Sequence, residues 1–325
     1  MGSIPSPSAP PLRIAILGGG VGGLSLALGL QHHAPHLSIH LYESKPEFSE
    51  LGAALTMLPN AVAALESIGP ETERAMRTCL TGSAGGGENK TEEDEEEQEP
   101  ARIIAGTGSE RGQFLGHMLS NESWKDSAVR NVHRATFLGE LANGLGEGIS
   151  VGLGKRVVGV REQERVEGVE GGVEMEFSDG SNEVFDAVLG ADGVHSVVRK
   201  SMFDGAHERW YGEPVFSHQI VYRALVSMEE AVAAFGKKIA AHPTFAMGPG
   251  SVLYQYPTDL GRKVNMVIMA YHEGLWEHES WIVPGTREEL EVRLKDWGEI
   301  GQNWVQVSLA GSTTSPEHAN LHRSC

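Results

Sequence analysis

Residues 13–30 read RIAILGGGVGGLSLALGL. Arg13 to Leu17 is a short apolar run of strand type, and glycines follow it at once. From Gly22 onward Leu24, Ala27, Leu28 and Leu30 recur at helical spacing. Gly18, Gly20 and Gly23 thus form a Gly-x-Gly-x-x-Gly turn between a strand and a helix, the context that gives this pattern meaning. Gly18 permits a tight turn, Gly20 lets a pyrophosphate approach the backbone, and Gly23 lets the helix pack close to the strand. The helix N-terminus offers N–H groups and a partial positive charge to phosphates. A second strand, Ser38 to Glu43 (SIHLYE), ends in an acid where a carboxylate would bind ribose hydroxyls. A dinucleotide site is expected, with NAD(P) and FAD both open on these residues alone.

Outward from that turn, residues 1–12 are rich in Ser and Pro and read as a flexible leader. The first helix should end before Pro35, and residues 60–69 read as another, with Asn60 as cap and Gly69 at its end. Residues 81–100 carry a triple glycine and an acidic run that cannot build a core, so a disordered insertion is expected. Ala135 to Leu145 reads as helix. Ile149 to Leu189 reads as a β-meander, with Val173, Met175 and Phe177 on one face. Ile220 to Val226, Ser251 to Tyr256 and Val264 to Tyr271 are β-type runs of an antiparallel sheet in a second region. After Trp297 the sequence turns polar and without pattern.

Composition narrows the function classes. The chain has 325 residues, 41 of them glycine, about twice the usual share and without a three-residue period. Its net charge of −18 owes much to the stretch Glu88 to Glu99, and no basic block exists to neutralise phosphates. Nucleic-acid binding and attachment to anionic lipid are therefore not expected. Two cysteines, Cys79 and Cys325, make no disulfide framework. With no secretory pattern at the N-terminus and no apolar run of membrane-spanning length, a cytoplasmic protein is expected. His32, His36 and His40 are interrupted by Pro35, and His318 and His322 lack the HExxH order, so no metal site is expected. The GxSxG pattern of a serine hydrolase is missing.

Three further segments sharpen the reading: GADGVHSVVR at 190–199, LGAALTMLPN at 51–60 and VHRATFL at 132–138. With the glycine turn, and in the family's expected order along the chain, they resemble the class A flavoprotein monooxygenases, especially the salicylate hydroxylase-like and kynurenine monooxygenase-like fungal enzymes, over residues 12–297. The resemblance implies an α/β fold: a Rossmann-like FAD-binding domain of glutathione-reductase type and an antiparallel β-sheet substrate domain. It implies FAD as cofactor and NAD(P)H as transient co-substrate. The reaction would be O₂-dependent hydroxylation or epoxidation of an aromatic or polyketide/alkaloid-like small molecule, through a flavin hydroperoxide. Gly18, Gly20, Gly23 and Glu43 would hold the dinucleotide, with Gly52, Ala53 and Thr56 near the flavin. Arg134 would contact FAD; Asp192 and Gly193 match the family's Asp-Gly motif, associated with both FAD and the transient pyridine nucleotide, and Arg199 closes that motif. Tyr222 and Arg223 resemble the family's active-site tyrosine/arginine region.

The expected domains are 13–80 with 101–202 for FAD, 203–297 for the substrate sheet, and 298–325 as an irregular tail. The family's GDAAH-like segment is not found, since no glycine here precedes an aspartate. The resemblance therefore implies a C-terminally truncated member. A catalytically impaired nucleotide-binding fragment, or another flavin oxidoreductase on the same fold, stays open beside the monooxygenase.

Overall fold

The computed structural model describes residues 10–48, 54–81, 101–118, 130–163, 171–204, 212–258, 261–278, 280–310 and 322–324. Most of the expected leader, and the acidic insertion beyond Thr81, lie outside the described residues. In chain order the elements are β1 (Arg13–Leu17), α1 (Val21–His33), β2 (Ser38–Glu43), β3 (Ala54–Met57), α2 (Pro59–Ile68) and α3 (Pro70–Thr81). Next come β4 (Arg102–Ala105), β5 (Phe114–His117), β6 (Arg130–His133), α4 (Arg134–Asn143), β7 (Ile149–Leu153) and β8 (Val157–Gln163). They are followed by β9 (Gly172–Phe177), β10 (Asn182–Phe185), β11 (Ala187–Gly190), α5 (Val197–Phe203), β12 (Gln219–Ser227), α6 (Met228–Phe235) and α7 (Lys237–Ala240). The last are β13 (Thr244–Gly248), β14 (Ser251–Thr258), β15 (Lys263–Tyr271), β16 (Ile282–Pro284), α8 (Arg287–Arg293), α9 (Gly298–Ala310) and β17 (His322–Ser324).

The chain divides into two compact units, one of residues 1–52, 60–79 and 134–214, the other of 53–59, 80–133 and 215–325. The first holds a parallel sheet in the order β11-β1-β2-β7. Strands of such sheets are apolar on both faces, and four of the five residues of β1 are buried. Helix α1 buries Gly23, Leu24, Ala27 and Leu28, and it ends at His33 with Ala34 as C-cap, just before Pro35. An antiparallel sheet, β10-β9-β8, packs Met175, Phe177 and Phe185 into a core with Ala15, Leu17 and Tyr42. Asn60 lies inside the first turn of α2 rather than capping it, because the helix begins at Pro59, whose fixed φ suits a first helical position.

The second unit is built on an eight-stranded sheet, β16-β17-β12-β15-β14-β13-β4-β5, and also contains the antiparallel pair β3 and β6. Two domain assignments from the sequence are corrected here. Residues 102–117 belong to this sheet and not to the dinucleotide domain, since β4 pairs in parallel with β13. Residues 298–310 are not irregular: they form α9, whose Trp304, Val305 and Val307 are buried against the sheet core. The stripe was hard to read because polar residues separate its apolar ones.

Trp297 locks this arrangement. It is 2% exposed, and its indole fills the space that side chains would need at Gly106 and Gly248. A Cβ at those positions would stand 2.2 and 2.5 Å from the ring. Trp297→Ala should therefore cost about 3–5 kcal/mol, read as a lower urea midpoint. Gly248→Ala should also destabilise; an unchanged midpoint in both variants would show that the slot is not filled as described.

Candidate dinucleotide site and substrate sheet

The turn from β1 into α1 is shaped by contact. Gly18 has φ +102, and its N–H donates to the Tyr42 carbonyl at 2.8 Å. A Cβ at Gly18 would lie 2.3 Å from the Ala191 carbonyl oxygen, and one at Gly23 would lie 1.8 Å from the Gly18 oxygen. Both positions thus require glycine for packing. Gly20 differs: a Cβ there would meet nothing within 4 Å, and the same holds at Gly22. Gly20 also precedes the first turn of α1, which no side chain caps. The helix therefore presents its leading N–H groups to open space. That combination leaves room for a pyrophosphate where the helix field favours negative charge.

Glu43 closes the other side. Its carboxylate accepts from the N–H groups of Gly19 and Lys45, each at 2.8 Å, and from the Ser44 hydroxyl at 3.1 Å. A carboxylate has about four acceptor positions, so it can still receive a ribose hydroxyl. Phe48, which sequence reasoning passed over, lies beside the middle glycine: a Cβ at Gly19 would stand 2.6 Å from its ring. A glycine at the variable position 19 of the motif was the only trace of this contact in the sequence.

The Asp-Gly motif abuts this turn. Ala191 donates its N–H to the Leu17 carbonyl at 2.8 Å. Asp192 directs its carboxylate at its own helix, accepting from Ser196 Oγ at 2.5 Å and from the Val197 and Val198 N–H groups at 2.7 and 3.3 Å. These bonds tie Asp192 to the first turn of α5, whose N-cap is Ser196, so its carboxylate holds the loop and the helix start together. Gly193 has φ +78 and open space at its Cα. Arg199 holds the loop by donating to the carbonyls of Gly193, Val194 and Gly212, and among the described residues it pairs with no acid. Arg134 opens α4 in this unit and is half-buried. Gly52 and Ala53 lie outside the described residues; Thr56 lies in β3, opposite Asn131 of β6.

In the second unit, the strand register separates the two expected catalytic neighbours. Tyr222 lies across from Ile268, Leu253, Ala246 and Ile104 in turn, and all five are buried in the core. Arg223 lies across from Val267, Tyr254, Phe245 and Ile103 on the other face. Successive strand residues point to opposite faces, so the two cannot serve one ligand together. Tyr222 is a core residue, with the Arg293 guanidinium 5.6 Å above its ring. Arg223 is exposed, and its face carries a Phe245–Tyr254 stack at 3.9 Å and Tyr256 at 4.8 Å from Tyr254. Burial holds the Tyr256 hydroxyl above its ordinary pKa, while its hydrogen bond to Asn265 and the charge of Arg223 pull the other way. This aromatic face was missed because Phe245 sits in a strand that the sequence did not reveal.

No protein-family model matches the chain. A 6-methylsalicylate 1-monooxygenase of Aspergillus terreus is 33% identical over 298 residues, which are 91% of this chain and 62% of that protein. A salicylate hydroxylase of Sarocladium schorii is 30% identical over 91% of this chain and 59% of its own length. The chain is a relative of the fungal FAD-dependent monooxygenases. It spans 59 to 62% of the length of these two monooxygenases. A solved salicylate hydroxylase substrate complex superposes with a TM-score of 0.72 at 21% identity, over 97% of this chain and 68% of that one. CtdE in complex with FAD and a substrate gives 0.69 at 17% identity, over 96% and 68%. These likenesses establish the fold as that of the FAD-dependent hydroxylases, mixed α/β with parallel and antiparallel sheets.

Among the described residues, no cluster of His, Cys, Asp or Glu could hold a metal, and no helix is long and apolar enough to cross a membrane. The two kinds of glycine in the turn of this monooxygenase relative should respond differently to one methyl group. Gly23→Ala should lower the thermal midpoint sharply, because the new Cβ would stand 1.8 Å from the Gly18 carbonyl oxygen, which cannot give way without moving the helix. Gly20→Ala should change stability by no more than about 0.5 kcal/mol. Equal losses in both variants would contradict the open-space reading.

Proposed function

We propose that this chain carries the dinucleotide site and the substrate sheet of an FAD-dependent monooxygenase. With NAD(P)H and O₂ it would hydroxylate or epoxidise an aromatic or secondary-metabolite small molecule. The observation that carries the reading is the glycine turn, open at Gly20 and closed by Glu43, in a chain 33% identical to a fungal monooxygenase. FAD, when bound, would supply the redox chemistry, namely two-electron exchange with NAD(P)H and activation of O₂.

The protein's part is to bind, orient and exclude water. Gly20, Gly22 and the α1 N-terminus would cradle the pyrophosphate, and Glu43 would take the adenosine ribose. Asp192 would act through α5, keeping Gly193 and Ala191 in place beside the turn. Arg134 and Thr56, with Gly52 and Ala53, are assigned to the cofactor on their motifs. On the sheet, Arg223 is the cation that suits a carboxylate or phenolate, and the Phe245–Tyr254 stack offers aromatic surface to a ring. A cytoplasmic setting fits a source of NAD(P)H. It also fits Cys79, a buried thiol whose pKa burial, with the charge of Glu140 beside it, pushes up to about 11.

The test is flavin binding followed by turnover. The purified chain should take up FAD stoichiometrically. Glu43→Ala should weaken it about 10- to 100-fold, the value of a charge-assisted hydrogen bond or two. Unchanged FAD retention in Glu43→Ala would sink the ribose assignment. NADPH oxidation by the FAD-loaded chain should accelerate with phenolic carboxylates. Arg223→Ala should raise the KM for an acidic phenol about tenfold and leave FAD affinity unchanged, as expected for one lost ion pair to substrate.

A further inference from the structure

We propose that the gap between β12 and β16 is a binding slot for an extended peptide, filled in cis by the chain's own strand β17, which acts as a detachable plug. The proposal is independent of the flavin reading. Strands β12 and β16 do not pair with each other; β17 alone joins them, antiparallel to both. Ser324, Arg323 and His322 face Val221, Tyr222 and Arg223 on one side, and Ile282, Val283 and Pro284 on the other.

The two edges of β12 are treated very differently. On the inner edge β15 pairs with every residue from Gln219 to Ser227. On the outer edge β17 pairs only with 221–223, and among the described residues no strand pairs with 224–227. The strand itself, QIVYRALVS, is rich in β-branched and apolar residues. An apolar edge of that kind recruits extended backbone, because its N–H and C=O groups are otherwise left to water. A three-residue strand is the smallest cover that closes it. Helix α9, which precedes β17, is anchored in the core through Trp304, Val305 and Val307 and does not depend on that cover. Because β17 belongs to the same chain, its docking is intramolecular, and a free peptide should enter only when the plug is removed.

Amide hydrogen exchange and peptide binding test this directly. A chain ending at residue 310 should keep the protection of β14 and β15 amides, whereas amides in 221–223 and 282–284 exchange at least about tenfold faster. A labelled peptide of residues 319–324 should bind that shortened chain, restore the lost protection, and bind the full chain at least about tenfold more weakly. Unchanged exchange in 221–223, or failure of the peptide to bind the folded shortened chain, would overturn the proposal. If the shortened chain does not fold, two full-length variants decide the matter. Arg323→Pro, which removes a ladder N–H, should speed exchange at 221–223, and Arg323→Ala should not. Equal exchange in the two variants would count against a docked strand.

Discussion

The carbonyl of Gly18 occupies the space that any side chain at position 23 would need. Much of the first unit depends on that approach. It lets α1 lie directly on the end of β1, which aims the leading N–H groups of the helix at the opening above Gly20. Ala191 completes the contact from the far side, since its carbonyl bars a side chain at Gly18 and its methyl touches the space beside Gly23. The glycine turn and the Asp-Gly motif, distant in sequence, are thus two halves of one packing contact.

The same logic, a missing side chain filled by a neighbour, organises the second unit. There the neighbour is Trp297, whose indole occupies the room left by Gly106 and Gly248. Those glycines follow β4 and end β13, so one aromatic ring ties both strands to the start of α9. The helices then cover one face of the sheet, and the other keeps its row of Arg223, Val267, Tyr254 and Phe245. The unit therefore has a dry side that holds it together and an aromatic side, with Arg223 upon it, fit for a planar ligand.

What could be read in the sequence was mostly local. The strand–glycine–helix pattern of residues 13–33, the acid ending β2 and the long strands of the sheet depend on near neighbours, and the structure returns them within a residue or two. Pairing across the chain was not legible. Nothing within residues 102–117 says that they join a strand more than a hundred positions onward, and the tail looked shapeless because its core residues are spread over α9. Two further details had signals that were present. Alternation along VYRALV already separates Tyr222 from Arg223, and an aspartate four residues before Ser196 at a helix start already suggests a carboxylate turned toward the helix. In both cases strand or helix geometry adds to what the motif alone conveys.

The central claim is that the opening at Gly20 is where a dinucleotide diphosphate meets the protein. Amide chemical shifts of the isotope-labelled chain, followed while ADP is added, test it most directly. The account predicts saturable shifts at Gly19, Gly20, Val21 and Gly22, together with the amides around Glu43. Shifts confined to other parts of the chain, or none at all, would contradict it.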